Sequence, residues 1–354
     1  MKRRNFLKNT LSISTTGLVV PHFNIISSKP DNNNSNNDII GHNGFRYRIN
    51  REWGNLDRNR YPVKDCHEMV MDSRKRLIML TNETKNNILI YDKSGKLLET
   101  WGNRFPGGHG LTLHNENGEE YLYITDFELG EVYKTTLKGD ILLTIRHPKF
   151  IGQYKDCDRF LPTETCIGPN GDIYIADGYG SQYILQYTSK GEFIRKFGGD
   201  SFIYDDKFKQ VHGIALDTRD ADNPVLICSE RVKNCFKRFT LDGRYIDSIY
   251  MPGAYLSRPV IDGENIYAGV CYSALKHHML TLNSGFVTIL DKNNKVISNP
   301  GGTEPVYITD EPELMVQNKP VFKHCHDVCI DDEKNIYVCE WNAGGVYPTK
   351  LERV

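Results

Sequence analysis

Residues 162–199, PTETCIGPNGDIYIADGYGSQYILQYTSKGEFIRKFGG, hold four short β-type runs punctuated by turn signals. TETCI leads into the turn GPNGD, the aromatic and β-branched run IYIA follows, YILQYTS comes next, and EFIRKFGG closes the unit across the Gly-centred turn SKGE. Such runs fit half-buried strands, and glycine at the corners fits hairpin turns. The same order recurs on both sides. Second strands read YLYITD (121–126) and NIYVCEW (335–341), third strands EVYKTTL (131–137) and CFKRFTL (235–241), and turns KSGK (93–96), LKGD (137–140) and LDGR (241–244). Units open near His67, His109, Thr163, His212, Pro259 and His326, giving six. Four short strands recurring at roughly forty to sixty residues are the mark of propeller blades. An all-β, six-bladed β-propeller is therefore expected.

The last unit indicates how the ring closes. After Trp341 there is room for a third strand, GGVYPTKLERV, but not for a fourth. FRYRINREWG (45–54) reads as a fourth strand without a blade, ending in the same Trp-Gly as blade one. The N-terminal segment is expected to complete the last blade and so remove the open sheet edges. The propeller domain then runs over 45–354. Residues 1–26 carry Lys2-Arg3-Arg4-Asn5-Phe6-Leu7-Lys8 and a mildly apolar stretch from Leu11 to Val20, which resembles a twin-arginine export signal. Residues 27–44 include SSKPDNNNSNN and read as a disordered linker. The expected location is periplasmic or secreted, with no integral membrane segment after signal cleavage.

The chain has 354 residues, 25% charged and 39% hydrophobic, enough apolar material for a sizeable core. A net charge of -1 gives no electrostatic reason to expect nucleic acid as a partner. A monomer acting on a small-molecule or peptide-derived substrate in the central tunnel is the expectation.

His67 in CHEMVMD, His109 in GHGLTLH, His212 in VHGIALD and His326 in CHDVCID each stand five residues before a polar position (Asp72, His114, Asp217, Asp331). They therefore occupy equivalent places in the first strands of their blades. First strands line a propeller's tunnel, so the four imidazoles are expected to converge. A single tunnel histidine would be an ordinary wet lining residue. A set in register predicts a metal site, because neutral imidazole is the commonest zinc ligand and three histidines with an open fourth position make a catalytic site.

The segments GHGLTLH, residues 162–199, VHGIALD and CHDVCID resemble the NHL-repeat six-bladed propellers, among them the lyase domain of peptidylglycine α-amidating enzymes. The likeness covers nearly all of 51–354. It implies zinc on His109, His212 and His326, with Tyr179 of Asp177-Gly178-Tyr179 as base and Arg231 holding a substrate carboxylate. It also implies a structural calcium on Asp327 and the Leu111 carbonyl. The implied activity is an exported, metal-dependent lyase cleaving a C–N or C–O bond of an α-hydroxy-carboxylate adduct.

This sequence departs from that pattern in several places. The stretch after the second strand of blade one, MLTNETKN, carries no arginine where the family has an essential one. The family's monooxygenase half has no counterpart here. His67 is an extra tunnel histidine, expected to face substrate or support the metal ligands, and His324 could add another imidazole. Three alternatives stay open: a non-catalytic NHL-type binding propeller, a carbohydrate lyase using the same residues, and a lactonase suggested by Glu164, Glu230 and Glu340. Nine cysteines include no C-x-x-C pair. Cys228 and Cys235 are expected to form a disulfide if SERVKN is a hairpin turn, while Cys66 and Cys325 read as packing residues.

Overall fold

A computed structural model describes residues 39–275 and 279–354, together with the backbone of Ile26 and Ser27. The export segment, the linker as far as residue 38 and the His277-His278 pair lie outside the described residues, apart from those two backbone positions. The fold is the expected six-bladed propeller. Blade one shows the pattern: Cys66–Met71, Leu77–Thr81, Ile88–Tyr91 and Leu97–Trp101 pair antiparallel in chain order from the tunnel outward. The innermost strands of the others are Gly108–Glu116, Glu164–Ile167, Val211–Asp217, Ala254–Asp262 and Cys325–Ile330. Each packs against the next around the axis, and the last packs against the first. No helix among the described residues is long and apolar enough to cross a membrane.

Phe45–Asn50 closes the ring as the fourth strand of blade six, with Ile49 opposite Leu351 and Tyr47 opposite Arg353. The order begins earlier than the sequence suggested. Ile39–His42 forms a fifth strand outside Phe45–Asn50. Asn43 (φ 49°) and Gly44 (φ 80°) make the turn between them, so Asn-Gly here is the two-residue hairpin signal rather than linker.

Strand alternation sends successive side chains to opposite faces of each blade, and both faces are covered by neighbouring blades. Among the described residues, six of the apolar clusters lie one at each blade junction, and a seventh, smaller one lies within blade five. Leu77, Met79 and Tyr91 of blade one, for example, meet Cys329, Tyr337 and Cys339 of blade six.

An aromatic residue at the end of a fourth strand caps a turn of the next blade. Trp53 donates its indole N–H to Lys93 O at 3.0 Å, and Trp101 donates to Leu137 O at 3.1 Å. Gly139 in that turn has φ 92°, and a Cβ there would lie 2.6 Å from the Trp101 ring. Gly118, with φ 93°, has nothing within 4 Å. Gly139→Ala is expected to cost roughly 1–3 kcal/mol, and Gly118→Ala less, because it keeps the backbone strain and lacks the clash. Equal losses in denaturant melts would show that the Trp101 contact contributes nothing.

Candidate functional site

The ladder between the first and second strands slips once in four blades: between Cys66 and Glu68, Gly108 and Leu111, Val211 and Ile214, and Cys325 and Asp327. His67, His109, His212 and His326 sit within these slips. A bulge of this kind re-aims the side chain it carries, here into the tunnel. The four rings converge as expected, and each is 0–2% exposed. His109 and His326 have centroids 4.7 Å apart, and His67 and His212 each lie 4.8 Å from both. Two near-equilateral imidazole triangles thus share the His109–His326 edge.

The hydrogen bonds fix two tautomers. His109 Nδ1 donates to Thr163 O at 2.7 Å, and His326 Nδ1 donates to His67 O at 2.9 Å. Both Nε2 lone pairs are thereby available to a ligand. His326 Nε2, His212 Nδ1 and both nitrogens of His67 are buried without a hydrogen-bond partner. Leaving buried polar atoms unsatisfied is costly unless something binds them. Burial holds all four imidazoles below their ordinary pKa, His67 to about 4, so they are neutral at pH 7 as metal ligands must be. Possible ligating atoms of His67, His109 and His326 lie within 4.8 Å of one another. The donor set is compatible with a metal ion, and His67 belongs to the cluster itself.

Tyr179 projects from the loop after the second strand of blade three. Its hydroxyl stands 3.1 Å from Nε2 of both His109 and His212. Asp177 braces that loop by accepting from Leu161 N, Ser181 N and Tyr154 Oη at 2.7–2.8 Å. Burial raises the Tyr179 pKa, and the nearby Arg231 charge works against that rise. The phenol is therefore held above its ordinary pKa when no metal charge stands beside it. Arg231 is 4% exposed, so it is not a surface charge. Its Nε donates to Leu256 O at 2.8 Å and one Nη to Ser257 Oγ at 3.1 Å.

His324 stands apart from the cluster. Its Nδ1 donates to Trp341 O and its Nε2 accepts from Asn283 N. Cys66 and Cys325 are buried in apolar clusters. The expected Cys228–Cys235 disulfide is absent, both thiols being free. Cys228 pairs opposite Lys237 and Cys235 opposite Glu230, so the two cysteines are offset by two residues along the ladder. Diagonal neighbours of this kind lie about 7–8 Å apart, too far for a bridge.

One layer deeper, a feature appears that the sequence did not suggest. Glu68, Glu164 and Asp327, each following a register position directly, surround the buried guanidinium of Arg258. Asp327 and the Leu111 carbonyl, the pair implied for calcium, both accept from Arg258, at 2.7 and 2.8 Å. With a fixed cation between them, these residues do not fit a calcium ion. Burial raises the pKa of Glu68 and of Asp327, the latter to about 6, and the Arg258 charge works against both rises. Beyond Arg258 the tunnel widens to a cavity of about 390 Å³ lined by residues such as Met69, Leu113, Leu216 and Ile330.

No protein-family model matches the sequence. The peptidyl-α-hydroxyglycine α-amidating lyase 1 of Drosophila melanogaster is 29% identical over 172 residues, 47% of this chain and 28% of that protein. Human NHL repeat-containing protein 3 is 26% identical over 207 residues, 50% of this chain and 60% of its own length. The matches cover about a third or less of the amidating-enzyme relatives' own length. Among solved structures, a gluconolactonase from Xanthomonas campestris superposes with a TM-score of 0.55 at 10% identity, over 82% of this chain and 86% of that one. Identity that low speaks to the fold alone. The chain is a six-bladed β-propeller, similar in sequence to peptidyl-α-hydroxyglycine α-amidating lyases and to NHL repeat-containing protein 3.

Proposed function

We propose that the chain is a metal-dependent lyase that cleaves a C–N or C–O bond of an α-hydroxy-carboxylate adduct, with peptidyl-α-hydroxyglycine compounds as the first substrates to try. The observation that carries this reading is the Tyr179 hydroxyl, 3.1 Å from Nε2 of both His109 and His212. A general base beside the histidines and next to a buried arginine is the set that such a cleavage requires. His109 and His326, with His67 or His212 as the third, would hold the ion, zinc being the first choice for three imidazoles. Bound there, it would polarise the substrate's hydroxyl oxygen as a Lewis acid.

The phenolate of Tyr179, which the charge of a bound ion would favour against the effect of burial, takes the hydroxyl proton. The C–N bond then breaks as the carbonyl forms, and the departing nitrogen takes that proton back from Tyr179, giving an amide and glyoxylate. Arg231, its guanidinium fixed by Leu256 O and Ser257 Oγ, pairs the substrate carboxylate. Export through the twin-arginine segment at residues 2–8 belongs to the same proposal, as does action as a monomer.

Tyr179→Phe should keep its metal while glyoxylate release falls about 10²–10⁴-fold, the usual worth of a positioned acid–base group. Unchanged kcat in this variant would remove the tyrosine from the chemistry. One observation favours a non-catalytic binding propeller instead. After the second strand of blade one, Asn82 pairs with Asp65 at 3.0 Å, and no arginine stands there. Silence of the metal-loaded protein over a panel of α-hydroxyglycine and other hydroxy-acid compounds would select that reading.

A further inference from the structure

Blade five carries no tunnel histidine, yet its innermost strand has the same kind of slip, between Leu256 and Pro259. The slip contains Ser257 and Arg258. We propose that Arg258 is the tunnel's built-in cation: its guanidinium replaces a divalent ion in the Glu68–Glu164–Asp327 layer, and the protein neither needs nor binds calcium there.

The contacts of this one side chain span the ring. Nε and one Nη donate to the two Asp327 carboxylate oxygens of blade six at 3.1 and 2.7 Å, a bidentate pair. The same Nη reaches Met69 O of blade one at 3.3 Å, and the other donates to Leu111 O of blade two at 2.8 Å. Glu68 Oε2 lies 3.3 Å from Nη1, and Glu164 Oε2 of blade three lies 3.7 Å from Nε. Blade four contributes by clearance: a Cβ on Gly213 would fall 2.4 Å from the Arg258 Cα, so only glycine lets the strands approach. Arg258 thus links its own blade directly to four others and depends on blade four for room.

The donor atoms are all oxygens, carboxylates and backbone carbonyls, the set a hard cation such as calcium takes. Here five directional N–H groups answer them. Glu164 Oε2 is buried with no hydrogen-bond partner and lies 3.7 Å from Arg258 Nε. Without the guanidinium, that oxygen and its neighbours would face one another uncompensated. A second cation could enter only by displacing the first. This inference is independent of the metal at the histidines and of any lyase activity.

The test is a calcium titration of the full-length protein and of Arg258→Ser, read by melting temperature and by elemental analysis after dialysis. The wild type should hold no stoichiometric calcium, and millimolar calcium should leave its melting temperature unchanged. Arg258→Ser should melt roughly 5–10 °C lower, from the loss of a buried ion-pair partner, and should recover with calcium but not with magnesium. About one calcium per wild-type chain, or a folded Arg258→Ser with no calcium response, would overturn the proposal. If Arg258→Ser does not fold even in calcium-supplemented medium, the wild-type calcium content decides alone.

Discussion

His109→Ala is expected to remove bound metal and activity together. His109 lies within 4.8 Å, ring to ring, of His67, His212 and His326, and its Nε2 also meets the Tyr179 hydroxyl. It belongs to both imidazole triangles, so neither can stand in for it. Substitutions of groups that merely orient a ligand cost about 10–100-fold in metal affinity, and loss of a shared ligand must exceed that. The blade should survive, because the ring packs against the other histidines, Tyr179 and Phe127 and belongs to none of the apolar clusters at the blade junctions. The expected variant is folded, with an unchanged circular dichroism spectrum, and metal-free by elemental analysis. Full metal content would move the ligand set elsewhere. His67→Ala and His212→Ala should each lose less, since each leaves one triangle intact.

Deleting residues 45–54 is expected to abolish cooperative folding. The segment supplies the fourth strand of blade six, and its side chains Tyr47, Ile49 and Trp53 are 0–4% exposed. Trp53 alone packs against Tyr337 and Tyr91, with centroids 4.6 and 5.3 Å away, bridging blades six and one. At roughly 1.5–3 kcal/mol for each large apolar side chain, their loss approaches the 5–15 kcal/mol that typically holds a whole domain together. The deletion also exposes the Thr349–Arg353 edge to pairing with other chains. Aggregated or broadly melting protein is the predicted outcome. Removing only Ile39–His42, an outer edge strand, should cost far less. A melting temperature unchanged by the larger deletion would contradict closure by the N-terminal strand.

The blade count, the closure and the meeting of the histidines were legible because they repeat. A periodic strand pattern fixes which residue lines the axis, whatever the detailed packing. Arg258 escaped because blade five breaks the pattern. Its innermost strand, AYLSRPVID, starts at Ala254, and Pro259 within it disguises the strand. The signal that could have found it is a second column, one residue past the histidines: Glu68, Gly110, Glu164, Gly213, Arg258 and Asp327. Three acids and one base in that column imply a buried charge layer once the propeller is assumed. The disulfide failed for a different reason. Cysteine spacing does not fix hairpin register, and the turn is Arg231–Asn234, four residues that set Glu230 opposite Cys235. Asn43-Gly44 was readable as a hairpin turn but was hidden at the end of an Asn-rich linker.

The most direct test of the site is the metal content of the folded protein purified without a histidine tag and measured by elemental analysis after incubation with zinc and dialysis. Four buried, neutral imidazoles, three of them with unsatisfied nitrogens, predict about one transition-metal ion per chain, lost in His109→Ala. A wild-type protein that folds and emerges without bound metal would contradict the assignment of this cluster as a metal centre.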